Sequence, residues 1–312
     1  MRIVVLAAIF ILGSLSLWAA EGAQPAYRVL AADKGKVALV NAGKVEWEFA
    51  NKAETHDLQL LANGNVLLPL PGPVIAEVDR QGKVVWKFAC QAKAGYSGRV
   101  EVHAFQRLAD GNTMIAESGN CRIIEVGPEG KIVREVPLTV EKPNAHRDTR
   151  MARKLKNGNY LVCHEGDGKV REYDPTGKVV WTYALDLGGR PRSPGHGVEG
   201  HGVEVYGAIR LGNGNTLIGG GNNNRVLEVN PKGEIVWKIE QDELPGIKLA
   251  WVTTLHALPN GNIIVGNCHA GPLNPQLFEV TRDKKVVWKF NDFKTFGNGL
   301  AAAQVLDIEA IR

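Results

Sequence analysis

Residues 56–90 read HDLQLLANGNVLLPLPGPVIAEVDRQGKVVWKFAC, and two turn signals divide this stretch into apolar segments. Asn63-Gly64-Asn65 and Asp79-Arg80-Gln81-Gly82 supply residue types that tolerate the positive φ angles of tight hairpins. Segments rich in β-forming residues flank both turns, and the last segment carries Trp86. The stretch therefore predicts four short antiparallel strands.

The same pattern recurs along the chain. The Asn/Asp-Gly-Asn turn begins at residues 63, 110, 157, 213 and 260, in steps of 47, 47, 56 and 47 residues. Segments that end in a tryptophan occur at Trp47, Trp86, Trp181, Trp237 and Trp288. Four-stranded repeats of about 40 to 50 residues are typical of β-propeller blades.

The two ends of the repeat indicate how many blades there are and how the ring closes. Residues 28–49 match the last three strands of a blade and lack the first. Adding 47 to Asn260 leads to Asp307, which follows the apolar segment 301–306. We therefore predict an all-β, six-bladed β-propeller of four-stranded antiparallel blades. Residues 300–308 should pair beside residues 28–35 as the inner strand of the first blade, which removes exposed sheet edges.

The N-terminus predicts a secreted or periplasmic protein. Arg2 precedes an apolar run from Ile3 to Leu17, and the small residues Ala19, Ala20 and Ala23 follow it. This arrangement is typical of a secretory signal peptide. We predict a signal peptide over residues 1–23 and a single propeller domain over residues 24–312, with no membrane association beyond the signal peptide.

Composition and cysteine spacing narrow the function classes. The net charge is only +4, with acidic and basic residues interspersed, so nucleic acid is not an expected partner. The four cysteines form no CxxC motif, which argues against structural zinc and haem attachment. Cys90 and Cys121 fall in neighbouring blades, and a disulfide between them is one hypothesis. We expect a monomer.

The histidines concentrate on one predicted face. In a propeller, the loops between blades and those between second and third strands share the face opposite the Asn-Gly-Asn turns. Seven of the eight histidines fall in or beside those loops, whereas His256 falls within an inner strand. The seven are His56, His103, His146, His164, His196, His201 and His269. We call this the histidine face and expect function there, because loops on a rigid scaffold commonly carry it.

Candidate ligand-binding residues follow from position. Seven residues before each turn, at the mouth of the central channel, stand His56, His103, Arg150, Tyr206, Thr253 and Leu300. The first four are strong hydrogen-bonding groups and predict a polar or anionic ligand site. Further ligand-binding candidates are His164, His196, His201 and His269. In the long loop 186–205, His196, Glu199 and His201 form a weak candidate metal site, because a glycine-rich loop does not fix their geometry.

Two families resemble this repeat. The Asp-x-x-Gly-Lys-Val-Val-Trp element resembles the repeats of pyrroloquinoline-quinone (PQQ) propellers. The spacing His-x6-Asn/Asp-Gly-Asn at His56 and His103, with a late Gly-Lys-Val-Val-Trp-Lys-Phe, is similar to that of arylsulfotransferase-like propellers, which are six-bladed and periplasmic. The second resemblance implies sulfate transfer between phenols through a histidine, with His56, His103, Arg150 and His164 as the catalytic candidates.

The sequence favours a binding propeller over an enzyme, because no nucleophile, acid and base stand in a fixed relation. The expected partner is a polar small molecule, a glycan or a protein on the histidine face. An arylsulfotransferase-like enzyme is the alternative. A PQQ-dependent quinoprotein is the least supported, since the adjacent cysteines of the alcohol-type enzymes are missing. No cofactor is predicted.

Overall fold

The Asn/Asp-Gly-Asn turns join the first two strands in five of the six sheets. Their central glycines have φ values between 84° and 89°, a region that favours glycine. The first side chain of each turn also closes the loop on itself; for example, the Asn65 backbone N–H donates to Asn63 Oδ1 at 3.0 Å. These local preferences fix the hairpins.

The computed structural model describes residues 27–312, which form six antiparallel sheets of four strands each. The first strands of neighbouring sheets contact one another around a central channel, as propeller blades do. From inner to outer strand, blades 1 to 3 are β24 (Ala302–Val305), β1 (Arg28–Asp33), β2 (Lys36–Asn41), β3 (Lys44–Ala50); β4 (Gln59–Leu60), β5 (Val66–Leu70), β6 (Val74–Val78), β7 (Val84–Ala89); and β8 (Glu101–Arg107), β9 (Thr113–Ser118), β10 (Arg122–Val126), β11 (Ile132–Pro137). Blades 4 to 6 are β12 (Met151–Lys154), β13 (Tyr160–His164), β14 (Lys169–Tyr173), β15 (Val179–Ala184); β16 (Gly207–Arg210), β17 (Thr216–Gly219), β18 (Val226–Val229), β19 (Ile235–Ile239); and β20 (Trp251–Ala257), β21 (Ile263–Cys268), β22 (Leu277–Val280), β23 (Val286–Phe290).

The ring closes as predicted. Strand β24 pairs antiparallel with β1, from Val29 opposite Val305 to Ala32 opposite Ala302. The paired segment is shorter than the predicted 300–308, because the chain turns away at Asp307, whose φ is 64°. The predicted signal peptide, residues 1–23, lies outside the described residues. No helix in residues 27–312 is long and apolar enough to cross a membrane.

Neighbouring blades are joined by apolar layers. On the face opposite the histidine face, hydrogen bonds from tryptophan indole groups also join them. Leu30 of blade 1 packs with Val66 and Leu68 of blade 2, and all three are fully buried. The Trp181 indole N–H donates to the Pro231 carbonyl at 3.0 Å, and that of Trp237 to the Arg282 carbonyl at 2.8 Å. Each of these bonds runs from an outer strand to a turn of the next blade.

The hypothesis of a Cys90–Cys121 disulfide is wrong for this structure, in which all four cysteines are free thiols. Cys90 packs with Val102 and Ile115 in the layer between blades 2 and 3. Cys121 instead faces blade 4, with its Sγ 3.6 Å from Asp148 Oδ2. The two thiols therefore belong to different inter-blade contacts.

Candidate functional site

A cavity of about 630 Å³ opens on the histidine face. Its wall includes residues that precede the first strands of blades 1, 2, 4 and 5, together with Trp251 at the start of β20 and the turn 32–36 of blade 1. Part of the loop 186–205 also contributes. The volume falls within the range of about 300 to 1,000 Å³ that small-molecule sites occupy.

Arg150 lies in the wall of this cavity and is only 3% exposed. Its Nε donates to Glu165 Oε2 at 2.5 Å, and its Nη2 donates to the His146 carbonyl at 3.2 Å. The guanidinium also lies 6.0 Å from the centre of the Tyr206 ring. Its Nη1 is buried and has no hydrogen-bond partner. Such unpaired buried donors are rare in proteins, so we expect a bound group to supply the acceptor for Arg150 Nη1.

Three histidine rings adjoin Arg150. The His56 ring centre lies 4.8 Å from that of His103, and the His103 and His146 centres are 5.3 Å apart. Each of the first two rings has a carboxylate beside it: His56 Nε2 is 3.2 Å from Glu54 Oε1, and His103 Nε2 is 3.1 Å from Glu101 Oε2. Neither contact is aligned as a hydrogen bond, and both nitrogens are otherwise unpartnered.

Burial decides the ionisation of this cluster. It lowers the pKa of both His56 and His103 from 6.5 to about 4, and the positive charge of Arg150 acts in the same direction. Contact with these rings lowers the pKa of Glu54 and Glu101 to about 2. At neutral pH the two imidazoles are therefore uncharged and the two carboxylates are ionised.

Aromatic groups form the remaining wall and the floor. The His196 ring centre lies 4.1 Å from the Trp251 ring and 5.7 Å from the His269 ring. Tyr206 is 2% exposed, and its Oη lies 3.1 Å from the His56 carbonyl and 3.2 Å from that of Ala301. Beyond Tyr206 the channel narrows to a void of about 20 Å³.

The structure brings together most, but not all, of the predicted site residues. Five line the cavity: His56, Arg150, Tyr206, His196 and His269. His103 packs against His56 but lines a smaller neighbouring cavity instead of this one. Thr253 and Leu300, the other two channel-mouth positions, are buried outside its lining.

His164 and His201 are not placed to contact a ligand in the cavity. His164 is fully buried, with Nδ1 2.7 Å from the Asp148 carbonyl and Nε2 2.8 Å from Tyr173 Oη. His201 is 4% exposed, and its Nδ1 lies 2.9 Å from the Pro191 carbonyl. Both rings anchor the backbone of loops, which corrects their assignment as site residues.

The candidate metal set His196, Glu199 and His201 is not assembled in the described part of the chain. His201 is turned toward Pro191, whereas His196 packs on Trp251. The loop geometry that the sequence left open therefore separates these side chains.

Sequence reasoning missed the acidic partners of the channel-mouth residues. In four consecutive blades an acidic residue stands two positions before the inner residue: Glu54 before His56, Glu101 before His103, Asp148 before Arg150, and Glu204 before Tyr206. In extended chain, residues two apart lie on the same side. This repeated spacing is the signal that could have identified Glu54 and Glu101.

His164 predicts an acid-sensitive fold. Burial lowers its pKa from 6.5 to about 4, so between these values the unfolded chain binds a proton that the folded chain does not. The free energy of unfolding therefore decreases as the pH falls from about 6.5 to about 4, and His164 alone accounts for roughly 3 kcal/mol of this loss. Urea unfolding at a series of pH values measures it.

The matched variants are His164→Gln and Tyr173→Phe. The first should reduce the pH dependence between pH 6.5 and 4 by the contribution of His164, while His56 and His103, whose pKa values are lowered over the same range, maintain the rest. The second removes only a hydrogen-bond partner of the ring, so it should lower stability while the acid dependence remains. Equal pH slopes for the wild-type protein and His164→Gln would refute this assignment.

The fold and the cavity define the class of protein: a six-bladed β-propeller with a polar cavity at one mouth of its channel. The chain belongs to the family described as outer membrane protein assembly factor BamB, whose model matches residues 33–290. This match confirms the predicted PQQ-like repeat. The arylsulfotransferase-like resemblance stays a prediction.

Solved structures show the same architecture. A protein of unknown function from Bacteroides caccae superposes with a TM-score of 0.73 at 24% identity, covering 91% of this chain and 100% of that one. An inactive virginiamycin B lyase from Staphylococcus aureus, solved with quinupristin, has a TM-score of 0.54 at 12% identity, covering 86% of each chain. At these identities the likeness establishes the fold alone. The search of curated proteins finds no match.

Proposed function

We propose that this propeller binds an anionic small molecule in the cavity of its histidine face and does not catalyse a reaction on it. The observation that carries the proposal is the Nη1 of Arg150, a buried donor in the cavity wall without an acceptor. An anionic oxygen is the strongest partner for a guanidinium, and a carboxylate, sulfate or phosphoryl group supplies one.

Three of the four acidic residues in the cavity wall do not compete for this role, because they already have hydrogen-bond or ion-pair partners, whereas the fourth, Glu54, contacts only His56. Asp33 accepts from the Gly297 and Gly299 backbone N–H groups. Glu165 accepts from Arg147 as well as from Arg150. Arg150 therefore keeps one donor that no protein group uses, and Trp251 offers an apolar surface for the uncharged part of a ligand.

We also propose that the protein works in the periplasm or outside the cell. The apolar run from Ile3 to Leu17 supports this location, since it has the form of a signal peptide. The description of the family as an outer membrane protein assembly factor is consistent with it.

Arg150→Gln tests the proposal. We expect wild-type protein to bind at least one of sulfate, phosphate, citrate or glucuronate in calorimetric titrations at low salt. The variant should bind that anion about 10- to 100-fold more weakly, because it loses a charge-assisted hydrogen bond of about 1.5 to 3 kcal/mol. Glu165 keeps Arg147 as a partner, so the fold should persist.

Arg134→Gln is the control, since Arg134 lies on the outer strand β11, away from the cavity. It should bind the anion as the wild-type protein does. The proposal fails if no anion of the panel binds, or if Arg150→Gln and Arg134→Gln bind it equally well.

A further inference from the structure

The side chains of Glu101, His103 and His146 form a cluster that anion binding does not use. Their ligand atoms all lie within 4.8 Å of one another. Glu101 Oε2 stands between the two rings, 3.1 Å from His103 Nε2 and 2.9 Å from His146 Nδ1. Donor atoms bound to one tetrahedral zinc ion are about 3.4 Å apart, as bond lengths of about 2.1 Å require.

Backbone geometry presents these groups to one point. In β8, Val102 pairs with Glu117 and Ala104 with Ala116, so His103 is an additional residue without a partner on β9. Such a β-bulge redirects a side chain and is frequent beside functional sites. His146 comes from the loop between β11 and β12, and its side chain is 45% exposed, so the ring can turn to present either nitrogen.

A simpler interpretation is that Glu101 only accepts hydrogen bonds from two imidazoles. The contact with His146 fits this interpretation, because it is a well-formed hydrogen bond. The contact with His103 does not. The His103 ring is 5% exposed, and its Nε2 is buried without any aligned hydrogen bond. A metal-binding site without its ion has this arrangement: the His103 nitrogen is buried without a hydrogen bond and faces a carboxylate and a second imidazole.

We propose that Glu101, His103 and His146 bind a divalent transition-metal ion, with Zn²⁺ as the reference ion. Two imidazoles and one carboxylate are a common ligand set for zinc and for other transition metals that keep an open coordination position. His146 lines the cavity proposed for the anion, whereas Glu101 and His103 line a smaller cavity of about 250 Å³ beside it, so the ion would lie between the two.

Two arginines lie beside the cluster, and neither leaves an uncompensated positive charge next to the ion. Arg99 Nε lies 3.0 Å from Glu101 Oε1, and Arg150 Nη2 lies 3.4 Å from His146 Nε2. The Arg99 side chain is 78% exposed, so solvent screens its charge, and the charge of Arg150 is balanced by Glu165, with which it forms a buried ion pair.

The experiment is a calorimetric titration of EDTA-treated, dialysed protein with ZnCl₂, together with the visible absorption of the Co²⁺-loaded form. We expect one equivalent of Zn²⁺ to bind. His146→Ala and Glu101→Gln should each weaken binding by about 100-fold or more, since even loss of a group behind a ligand costs about 10- to 100-fold. The Co²⁺ absorption should change with them. Because His146 sits in an exposed loop, His146→Ala should remain folded.

His196→Ala is the discriminating variant, because His196 lies in the same cavity but outside this ligand set. It should bind Zn²⁺ as the wild-type protein does. Arg150→Gln should also retain Zn²⁺ binding, so this proposal and the anion proposal can fail separately. Absence of Zn²⁺ uptake by the wild-type protein, or a loss in His196→Ala that His146→Ala does not show, would overturn it.

Discussion

Removal of residues 300–312 is expected to abolish cooperative folding. These residues include β24, which covers the inner edge of β1 through the pairs from Val29 to Ala32. Without β24, the edge of β1 is left unpaired beside apolar side chains that are now fully buried, such as Leu30. An exposed edge of this kind invites aggregation. Thermal unfolding followed by circular dichroism should lose its sharp transition, and gel filtration should show larger species.

Removal of residues 308–312 is the control, because it leaves β24 in place. It removes the two backbone hydrogen bonds between Ala257 and Ile311. We expect a loss of about 1 to 3 kcal/mol, since a backbone hydrogen bond contributes about 0.5 to 1.5 kcal/mol. The closure argument would be wrong if the longer truncation melted as cooperatively as the shorter one.

Glu165→Ala is expected to destabilise the fold by about 3 to 5 kcal/mol, because it leaves the charge of Arg150 buried without its partner. Arg150 and Glu165 are 3% and 4% exposed, so water does not replace the lost carboxylate. Urea unfolding at constant pH measures the change.

Two further variants separate the charge effect from simple loss of packing. Glu165→Gln keeps an acceptor oxygen and should cost less than the alanine substitution. The double variant Glu165→Ala/Arg150→Met removes both charges and should recover most of the stability, because paired buried charges are commonly replaceable by apolar groups. A cost of less than about 1 kcal/mol for Glu165→Ala would mean that Arg150 is solvated.

The architecture could be predicted from the sequence because its determinants are local and repeated. Each Asn-Gly-Asn turn fixes a hairpin through its own backbone and side chains. The spacing of 47 residues then gives the number of blades. Because residues 28–49 lack the first strand of a blade, the C-terminal segment is identified as the strand that closes the ring. None of these steps depends on where a side chain points.

The site could be predicted only in part, because side-chain direction depends on contacts distant in sequence. His56 and Arg150 line the cavity, as their position predicts. His164 follows the same face rule, yet Tyr173 and the Asp148 carbonyl hold its ring inside the blade. His103 was expected at the mouth of the central channel, but the β-bulge that brings it next to Glu101 is not visible in a sequence pattern.

Tyr206, at the floor of the cavity, determines the route by which a ligand can enter and leave. The ring is buried, and the void beyond it is too small for anything larger than a water molecule or two. A molecule that enters from the histidine face must therefore leave by the same opening, and a second molecule cannot displace it from behind. Exchange at this site would be strictly sequential, with the dissociation rate setting how quickly a new occupant arrives.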